Sequence, residues 1–196
     1  MDGPRAATSA DLDAVAIALG EAFTDDPLMA WAFPDAESRP RILRGMFGYL
    51  AEHLYLPEGE VVVDDRGGAA LWQPPGARGE DSDTFWAQHG AAFVEALEGQ
   101  IERTMVLGAA MAEHHPHEVH WYLPAIGVRP IAHGQGVGGA LLAHTLASVD
   151  RDGVVAYLEA TTPRSVVLYE RHGLEVTTEF TVDDSPPIWP MVRPSR

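Results

Sequence analysis

The sequence of 196 residues contains no cysteine and no lysine. The absence of cysteine excludes disulfide bonds, thiolate nucleophiles and metal sites built on thiolates. All 13 basic residues are arginines, and with 29 acidic residues the formal net charge is -16. Because binding to a phosphate backbone depends on clustered cations, this balance argues against a nucleic-acid partner.

The acidic residues are concentrated in the front of the chain. Residues 1–119 carry 21 acids and 7 arginines, whereas residues 120–196 carry 8 acids and 6 arginines. We therefore expect the front of the chain to attract cations and the back to tolerate an anion. Ordinary solubilising surface charge explains the same distribution equally well.

Long hydrophobic runs are also missing. No apolar stretch approaches the roughly 20 residues that a membrane-spanning helix needs. The first residues, MDGPRAATSADLD, have neither the basic nor the apolar segment of a secretion signal. We expect a cytoplasmic protein without a membrane partner. A hydrophobic content of 46% is enough for one compact core, so we expect a single domain over residues 1–196.

The spacing of apolar residues predicts a mixed α/β chain. Strands and helices alternate in the last third, which predicts a parallel pair within a mixed sheet. Residues 74–83 read as a connector, and residues 74–119 as a helical insertion. The expected helices lie near residues 9–23, 42–54, 84–97, 99–113, 137–149 and 164–171, and the expected strands at 5–7, 60–64, 69–73, 120–128, 154–159, 174–182 and 187–193.

Residues 132–142, AHGQGVGGALL, place a glycine-rich turn before a helix. Such turns bind phosphates because backbone N–H groups approach the ligand closely and the positive end of the helix faces the anion. A flexible connector is the alternative. The glycines also satisfy the dinucleotide pattern G-x-G-x-x-G, and Glu159 stands 20 positions after Gly139, where that pattern places its ribose-binding acid.

Two features argue against a nicotinamide or flavin fold. In that fold the strand runs directly into the first glycine, whereas residues 129–133 intervene here after Val128. Only 37 residues follow Glu159, too few for the remaining strands and helices of a doubly wound sheet. We therefore expect a phosphate-bearing ligand other than a dinucleotide.

Residues 126–142, IGVRPIAHGQGVGGALL, resemble the acetyl-CoA loop of the GNAT N-acetyltransferases. That loop reads Q/R-x-x-G-x-G/A and follows a V-x-P strand end. Val128 and Pro130 match the strand end, whereas His133 stands where the family usually has arginine or glutamine. Downstream, LEATTPRSVVLYERHGLEV matches the next signature of the family. The resemblance implies an α/β GNAT acyltransferase fold: a mixed, mostly antiparallel sheet, a parallel pair splayed at the acetyl-CoA site, and helices on both faces.

The resemblance also implies acetyl-CoA as co-substrate and its direct reaction with a primary amine of a small molecule. Tyr169 matches the tyrosine that protonates the departing sulfur. The strand end would hold the acetyl and pantetheine part, the loop would hold the pyrophosphate, and a second helix would flank the coenzyme. These implied binders are Ile126, Gly127 and Val128; His133, Gly134, Gln135, Gly136, Val137, Gly138 and Gly139; and Thr162, Ser165 and Leu168.

The remaining site candidates come from chemistry. Glu159 ends a strand beside the loop and is the first candidate for the base, and a structural ion pair is the alternative role for it. His120 is the second candidate, and the alternative is a polar side chain at the surface with no catalytic role. Carboxylates and aromatic rings suit a cationic amine, although helix capping and core packing explain the same residues. The acceptor candidates are Asp25, Asp26, Trp31 and Trp72.

The stretch HHPHEVH, residues 114–120, suggests a metal site at first sight. It lacks the helical histidine pair of a zinc protease, and Pro116 breaks any helix there. We expect no metal.

Several functional alternatives remain open. Within the family, the likeness is to the enzymes that acetylate antibiotics and other small amines, the group of puromycin N-acetyltransferase. A non-catalytic acyl-CoA sensor and a peptide or protein N-acetyltransferase are the alternatives. A homodimer is possible, as in many relatives.

Overall fold

The structure is a computed structural model that describes residues 3–77 and 83–196. Residues 78–82 of the predicted connector lie outside this range. None of the described helices is both long and apolar enough to cross a membrane. In chain order the elements are β1 (Arg5–Ala6), α1 (Leu12–Phe23), α2 (Pro27–Ala32), α3 (Arg39–Leu50), α4 (Leu56–Glu58), β2 (Glu60–Asp64), β3 (Gly68–Gln73), α5 (Asp83–Ala96), α6 (Glu102–Ala112), β4 (His120–Val128), α7 (Val137–Asp152), β5 (Val155–Ala160), α8 (Pro163–Glu170), β6 (Glu175–Val176) and β7 (Trp189–Arg193).

The strands form one seven-stranded sheet in the order β1-β2-β3-β4-β5-β7-β6. Only the β4–β5 pair is parallel, so the predicted mixed, mostly antiparallel sheet is confirmed. The strand expected over residues 174–182 is wrong in extent: β6 covers two residues, and Phe180 forms only an isolated bridge to Ile188. The reason is that β7 lies beside β5 and leaves this segment at the outer edge of the sheet.

Strand β4 parts from β5 soon after the two strands meet. They pair at three positions, the last of which joins Tyr122 to Tyr157. On the other side of β4, Leu71 opposes Ala125 but Gln73 opposes Tyr122, so β4 has one residue more than β3 between these pairs. This is a β-bulge, and it lies next to Pro124, which has no N–H to give to a ladder. The gap between β4 and β5 opens beyond this point.

The sheet carries one hydrophobic core on each face. Helices α1 and α3 cover one face, where Leu71 and Ala125 are buried. Helix α7 covers the other, where Leu123 packs with Leu141 and Leu142. Leu123 and Ala125 stand two positions apart and yet enter opposite cores, which is a consequence of the bulge between them, since side chains two apart on a regular strand share a face.

Helix α2 is an element that the sequence analysis did not predict. The first helix ends at Phe23, as expected, but Asp26 then caps a second helix: its carboxylate accepts the backbone N–H groups of Leu28 and Met29 at 2.9 and 3.1 Å. Pro27 occupies the first turn, where its missing N–H costs nothing. The same residues therefore end one helix and begin another.

Helices α5 and α6 form the predicted helical segment between β3 and β4. Phe85 and Phe93 of α5 join the core under α1 and α3. Leu107 of α6 packs with Leu28 of α2 and with Val182 and Ile188 of the C-terminal segment. These contacts hold the two helices against the same face of the sheet as α1.

Gly127 is the point of closest approach between α1 and β4. A Cβ atom at this position would lie 2.7 Å from the Cβ of Ala22 and 3.1 Å from Cδ2 of Leu19. We expect Gly127→Ala to lower the free energy of unfolding by about 1–3 kcal/mol, because the helix must move away from the strand. Chemical denaturation measures this change.

Gly108 in α6 is the matched control. Apart from its chain neighbours and the backbone of α6, no heavy atom of the described residues lies within 4 Å of a Cβ built there, so Gly108→Ala should raise the free energy of unfolding by about 0.5–1 kcal/mol through helix propensity. Equal effects of the two substitutions would contradict the close packing of α1 on β4.

Candidate active site

One cleft of about 1580 Å³ runs across the gap between β4 and β5. At one end it is lined by the glycine loop and α8. At the other end it is walled by the α1–α2 junction, α3, α5 and α6. The apolar side chains of this second end include Phe23, Phe47, Trp86, Phe93 and Met111.

The glycine loop has backbone φ angles that residues with a Cβ atom adopt only with strain. Gly134 and Gly136 have φ angles of 77° and 76°, in the left-handed region that glycine tolerates. Gly136 caps α7, so the N–H groups of Val137, Gly138 and Gly139 lie in the first turn and have no carbonyl one turn earlier in the helix. The loop therefore directs backbone donors and the positive helix end at the cleft, which is the environment that a pyrophosphate requires.

The side chains of the loop tie its own backbone together. Nε2 of His133 lies 2.9 Å from the carbonyl oxygen of Val128, the last residue of β4. Gln135 donates to the carbonyl of Ile131 at 3.2 Å, and Arg66 of the β2–β3 turn donates to the carbonyl of Gln135 at 3.3 Å. His133 thus fastens the loop to the strand end in the position where the family usually has arginine or glutamine.

Thr162, Ser165 and Leu168, which the resemblance predicts to flank the coenzyme, all line the cleft. Thr162 Oγ1 accepts the backbone N–H of Ser165 at 3.1 Å, and Ser165 Oγ accepts the backbone N–H of Thr162 at 3.2 Å. This reciprocal pair is a capping box that satisfies the first turn of α8. Both polar side chains are consequently fixed in place before any ligand arrives.

Tyr169 lies at the inner wall of the cleft and is 7% exposed. Burial, and after it the negative charge of Asp26, raise the pKa of the Tyr169 phenol well above its ordinary value. The side chain is therefore protonated throughout the neutral range. It is available as a hydrogen-bond and proton donor.

Asp25 and Asp26 both line the cleft, but in different ways. Asp25 is exposed. Asp26 caps α2 through one carboxylate oxygen, and its other oxygen accepts the hydroxyl of Thr161 at 2.5 Å. Burial raises the pKa of Asp26, and the hydrogen bonds from Thr161 and α2 oppose that rise.

Two predicted acceptor residues do not reach the cleft. Trp72 is 1% exposed and packs edge-on against Trp121 under α7, because residues next to each other on a strand face opposite sides and Leu71 takes the cleft side. Trp31 donates from Nε1 to Asp184 at 2.7 Å and carries the guanidinium of Arg103 over its ring. Neither tryptophan is positioned to contact an acceptor, contrary to the sequence prediction.

The cleft also contains residues that the sequence analysis did not select. Arg164 and Arg171 of α8 line it beside the glycine loop, in a chain whose formal charge is -16. His115 lines it near Glu159. The arginines belong to a motif that was recognised for its other residues, and His115 belongs to the stretch that was considered only as a metal site.

The two predicted base candidates lie on the neighbouring strands β4 and β5 but at different levels, since His120 pairs with Val155 and Glu159 is four residues further along β5. Glu159, near the end of β5, has a side chain only 2% exposed, and its Oε1 lies 3.3 Å from Nε2 of His115. His120 opens β4, and its Nδ1 lies 2.8 Å from the carbonyl oxygen of Glu118. His114, by contrast, stacks on Phe180 with ring centroids 3.9 Å apart.

The matching family model is decisive for the identity of the fold. The model described as the acetyltransferase (GNAT) family matches residues 64–174, from the end of β2 to the end of the α8 motif. The chain belongs to the GNAT family of acetyltransferases. It is an acetyl-CoA-dependent N-acetyltransferase by that membership.

Solved structures of other GNAT proteins have the same fold. A Corynebacterium glutamicum protein described as histone acetyltransferase HPA2 and related acetyltransferase is 31% identical, with a TM-score of 0.75, and the match covers 99% of this chain and 96% of that one. Drosophila melanogaster polyamine N-acetyltransferase is 18% identical (TM-score 0.60; 96% and 97% covered). The Escherichia coli ribosomal-protein-S18-alanine N-acetyltransferase is 16% identical (TM-score 0.55; 100% and 94% covered). The last two show the fold alone.

The raised pKa of Asp26 makes a stability prediction for this GNAT enzyme. Between the unfolded value of about 3.8 and the higher folded value, the folded state binds more protons than the unfolded state, so stability falls as the pH rises through that window. Asp26→Asn keeps a capping side chain but does not titrate. We expect the stability of the parent protein relative to Asp26→Asn to decrease as the pH rises from about 4 through the raised folded pKa of Asp26, measured as the difference between two thermal melts. A difference that does not change with pH would contradict the burial of this carboxylate.

Proposed function

We propose that this enzyme transfers the acetyl group of acetyl-CoA to a primary amine of a small molecule, by direct attack while both substrates are bound. The observation that carries the proposal is the single cleft that connects the glycine loop to an acidic, mostly apolar chamber across the parted strands. We further propose that residues 1–196 form a single acetyltransferase domain in which α5 and α6 are the acceptor wall.

The donor end suits acetyl-CoA in its shape and its charge. The backbone of Ile126, Gly127 and Val128 lies where β4 has left β5, so its polar groups can hydrogen-bond the pantetheine arm as a neighbouring strand would. The loop N–H groups would hold the pyrophosphate. Arg164 and Arg171 supply positive charge beside it, which favours a multiply charged anion on an otherwise acidic protein.

The acceptor end suits a cationic amine with an apolar body. Phe23, Phe47, Trp86 and Phe93 give the chamber aromatic walls, which bind apolar surface and tolerate a nearby cation. Asp25 is the exposed carboxylate at this end, and Asp26 adds negative charge next to Tyr169. Both features favour an ammonium group over a neutral or anionic acceptor.

Direct attack is the route that the side chains favour. The sequence contains no cysteine, and the hydroxyls of Thr162 and Ser165 are committed to the cap of α8. The amine nitrogen is therefore the nucleophile: the new C–N bond forms as the thioester C–S bond breaks. Tyr169 gives its proton to the departing sulfur and recovers one from the nitrogen of the product.

A peptide or protein amine is the second candidate acceptor. Its support is the description of the 31%-identical Corynebacterium glutamicum relative as a histone acetyltransferase and related acetyltransferase. The walls that α5 and α6 place around the acceptor end favour a small molecule.

Release of free CoA thiol across a panel of amines tests the proposal. The panel contains aryl amines, polyamines, aminonucleosides such as puromycin, and peptides with a free N-terminus or a lysine. We expect turnover of at least one small amine and weaker turnover of peptides. Exclusive turnover of peptides would replace the proposal with the second candidate.

Tyr169→Phe tests the proposed proton donor. We expect kcat to fall by about 100-fold or more, with little change in the dissociation constant of acetyl-CoA, because the phenol acts on the leaving sulfur. Tyr49→Phe on α3, which does not line the cleft, is the matched control and should retain kcat. Steady-state kinetics and calorimetric titration with acetyl-CoA make the comparison. Equal kcat values for the two variants would rule out this role for Tyr169.

A further inference from the structure

Five side chains with ionisable groups lie close together where the pairing of β4 with β5 ends, and Glu159 lies two residues beyond the last pair. We call them the His115 cluster: His115, His120, Tyr122, Tyr157 and Glu159. The ring of His115 packs edge-on against Tyr122 and Tyr157, with centroids 4.5 and 4.7 Å apart. The ring of His120 lies 5.6 Å from that of His115. The cluster brings together one residue of the segment between α6 and β4 and four residues of the two strands.

Within the cluster, His115 and Glu159 form an ordered pair. Nε2 of the imidazole lies 3.3 Å from Oε1 of the carboxylate. That oxygen is buried and makes no hydrogen bond to any described residue; the imidazole of His115, 3.3 Å away, is a donor near enough to satisfy it. The side chain of Glu159 is 2% exposed, whereas that of His115 is 29% exposed. The carboxylate is closed to solvent, and the imidazole is open to the cleft.

We propose that His115 is the proton acceptor for the amine and that Glu159 is the positioning residue behind it. The inference rests on the proposed function, because it assigns the base for that reaction. A carboxylate that accepts one ring N–H fixes the tautomer of the imidazole and stabilises the imidazolium once it forms. With Nε2 directed at Glu159, Nδ1 is left to take a proton.

The proton balance of the reaction follows from this arrangement. The substrate enters as an ammonium ion, and His115 removes one proton, which later leaves to solvent. The neutral amine attacks the thioester carbonyl carbon, the C–N bond forms and the C–S bond breaks. The second proton lost by the nitrogen replaces the one that Tyr169 gives to the sulfur. One amide, one CoA thiol and one proton are the net products.

The other members of the cluster are less suited to the same role. Glu159 itself is nearly inaccessible. Burial and the charge of Glu159 raise the pKa of Tyr157, which keeps that phenol protonated. Nδ1 of His120 lies 2.8 Å from the carbonyl oxygen of Glu118, so its Nε2 would have to accept the proton without a carboxylate behind the ring to stabilise the imidazolium. His120 remains close enough to His115 to influence its charge, since the two rings are neighbours.

The test is the pH dependence of kcat/KM for the amine in the parent enzyme and four variants. The groups that face His115 are Glu159 and Tyr157 from β5 and His120 and Tyr122 from β4, and its own segment contributes Glu113, His114, His117 and Glu118. His115→Gln should lower kcat/KM by at least about 100-fold at neutral pH. The substitution should also abolish the increase of kcat/KM with pH that depends on the imidazole. Activity should then recover only near the pH at which the free amine loses its own proton.

Glu159→Gln should have a different effect. Because the amide cannot stabilise the imidazolium, the rise in kcat/KM should move to lower pH but remain present. His144→Gln, at an exposed histidine of α7 that does not line the cleft, is the matched control and should retain the parent profile. Calorimetric titration with acetyl-CoA and a thermal melt show that each variant folds and binds the donor.

Three outcomes would overturn the inference. If His115→Gln keeps the pH profile of the parent enzyme, His115 does not accept the proton of the amine. A loss of the pH-dependent rise in Glu159→Gln but not in His115→Gln makes Glu159 the base. If His120→Gln loses the pH-dependent rise in kcat/KM and His115→Gln keeps it, His120 is the base. If the parent enzyme turns over none of the amines, the proposed function fails before this question arises, so the two failures are distinguishable.

Discussion

The parting of β4 from β5 is the constraint on which the rest of the site depends. A parallel pair normally continues its ladder, but here the ladder ends at Tyr122 and Tyr157, one step before the bulge at Pro124. Proline cannot donate to a ladder, and the extra residue turns the following side chains to the opposite face. The gap that results exposes backbone polar groups along β4 and admits a ligand between two strands of one sheet. Without this gap a continuous strand pair would separate the glycine loop from the end of the cleft that α1, α3, α5 and α6 wall.

Several site residues are held by contacts that also stabilise the fold. Asp26 caps α2 and binds Thr161 next to Tyr169. Thr162 and Ser165 cap α8, and His133 fastens the glycine loop to the end of β4. Each of these bonds places a reacting group or a binding loop on a rigid element, which lowers the entropy that substrate binding must overcome. The site is therefore assembled by local hydrogen bonds that are present without ligand.

Local sequence patterns were sufficient for the glycine loop and the helices that flank it, and insufficient for the placement of side chains at the other end of the cleft. The glycine loop, α7, the α8 motif and the sheet type follow from short-range spacing, because each is determined by neighbours in the chain. The side that Trp72 faces depends on its strand register, and the partners of Trp31 come from residues more than 70 positions away. His115 is similar: its partner Glu159 lies on another strand, and no spacing within residues 114–120 indicates it. Helix α2 was missed because a helix-ending sequence also contained a cap.

The central claim is that acetyl passes directly from the thioester to the amine within one cleft. Intact-protein mass spectrometry after incubation with acetyl-CoA in the absence of amine tests it most directly, with a quenched sample after addition of an amine substrate for comparison. The account predicts an enzyme of unchanged mass in the first sample and acetylated amine with free CoA in the second. An enzyme heavier by one acetyl group that loses this group to the added amine would contradict it.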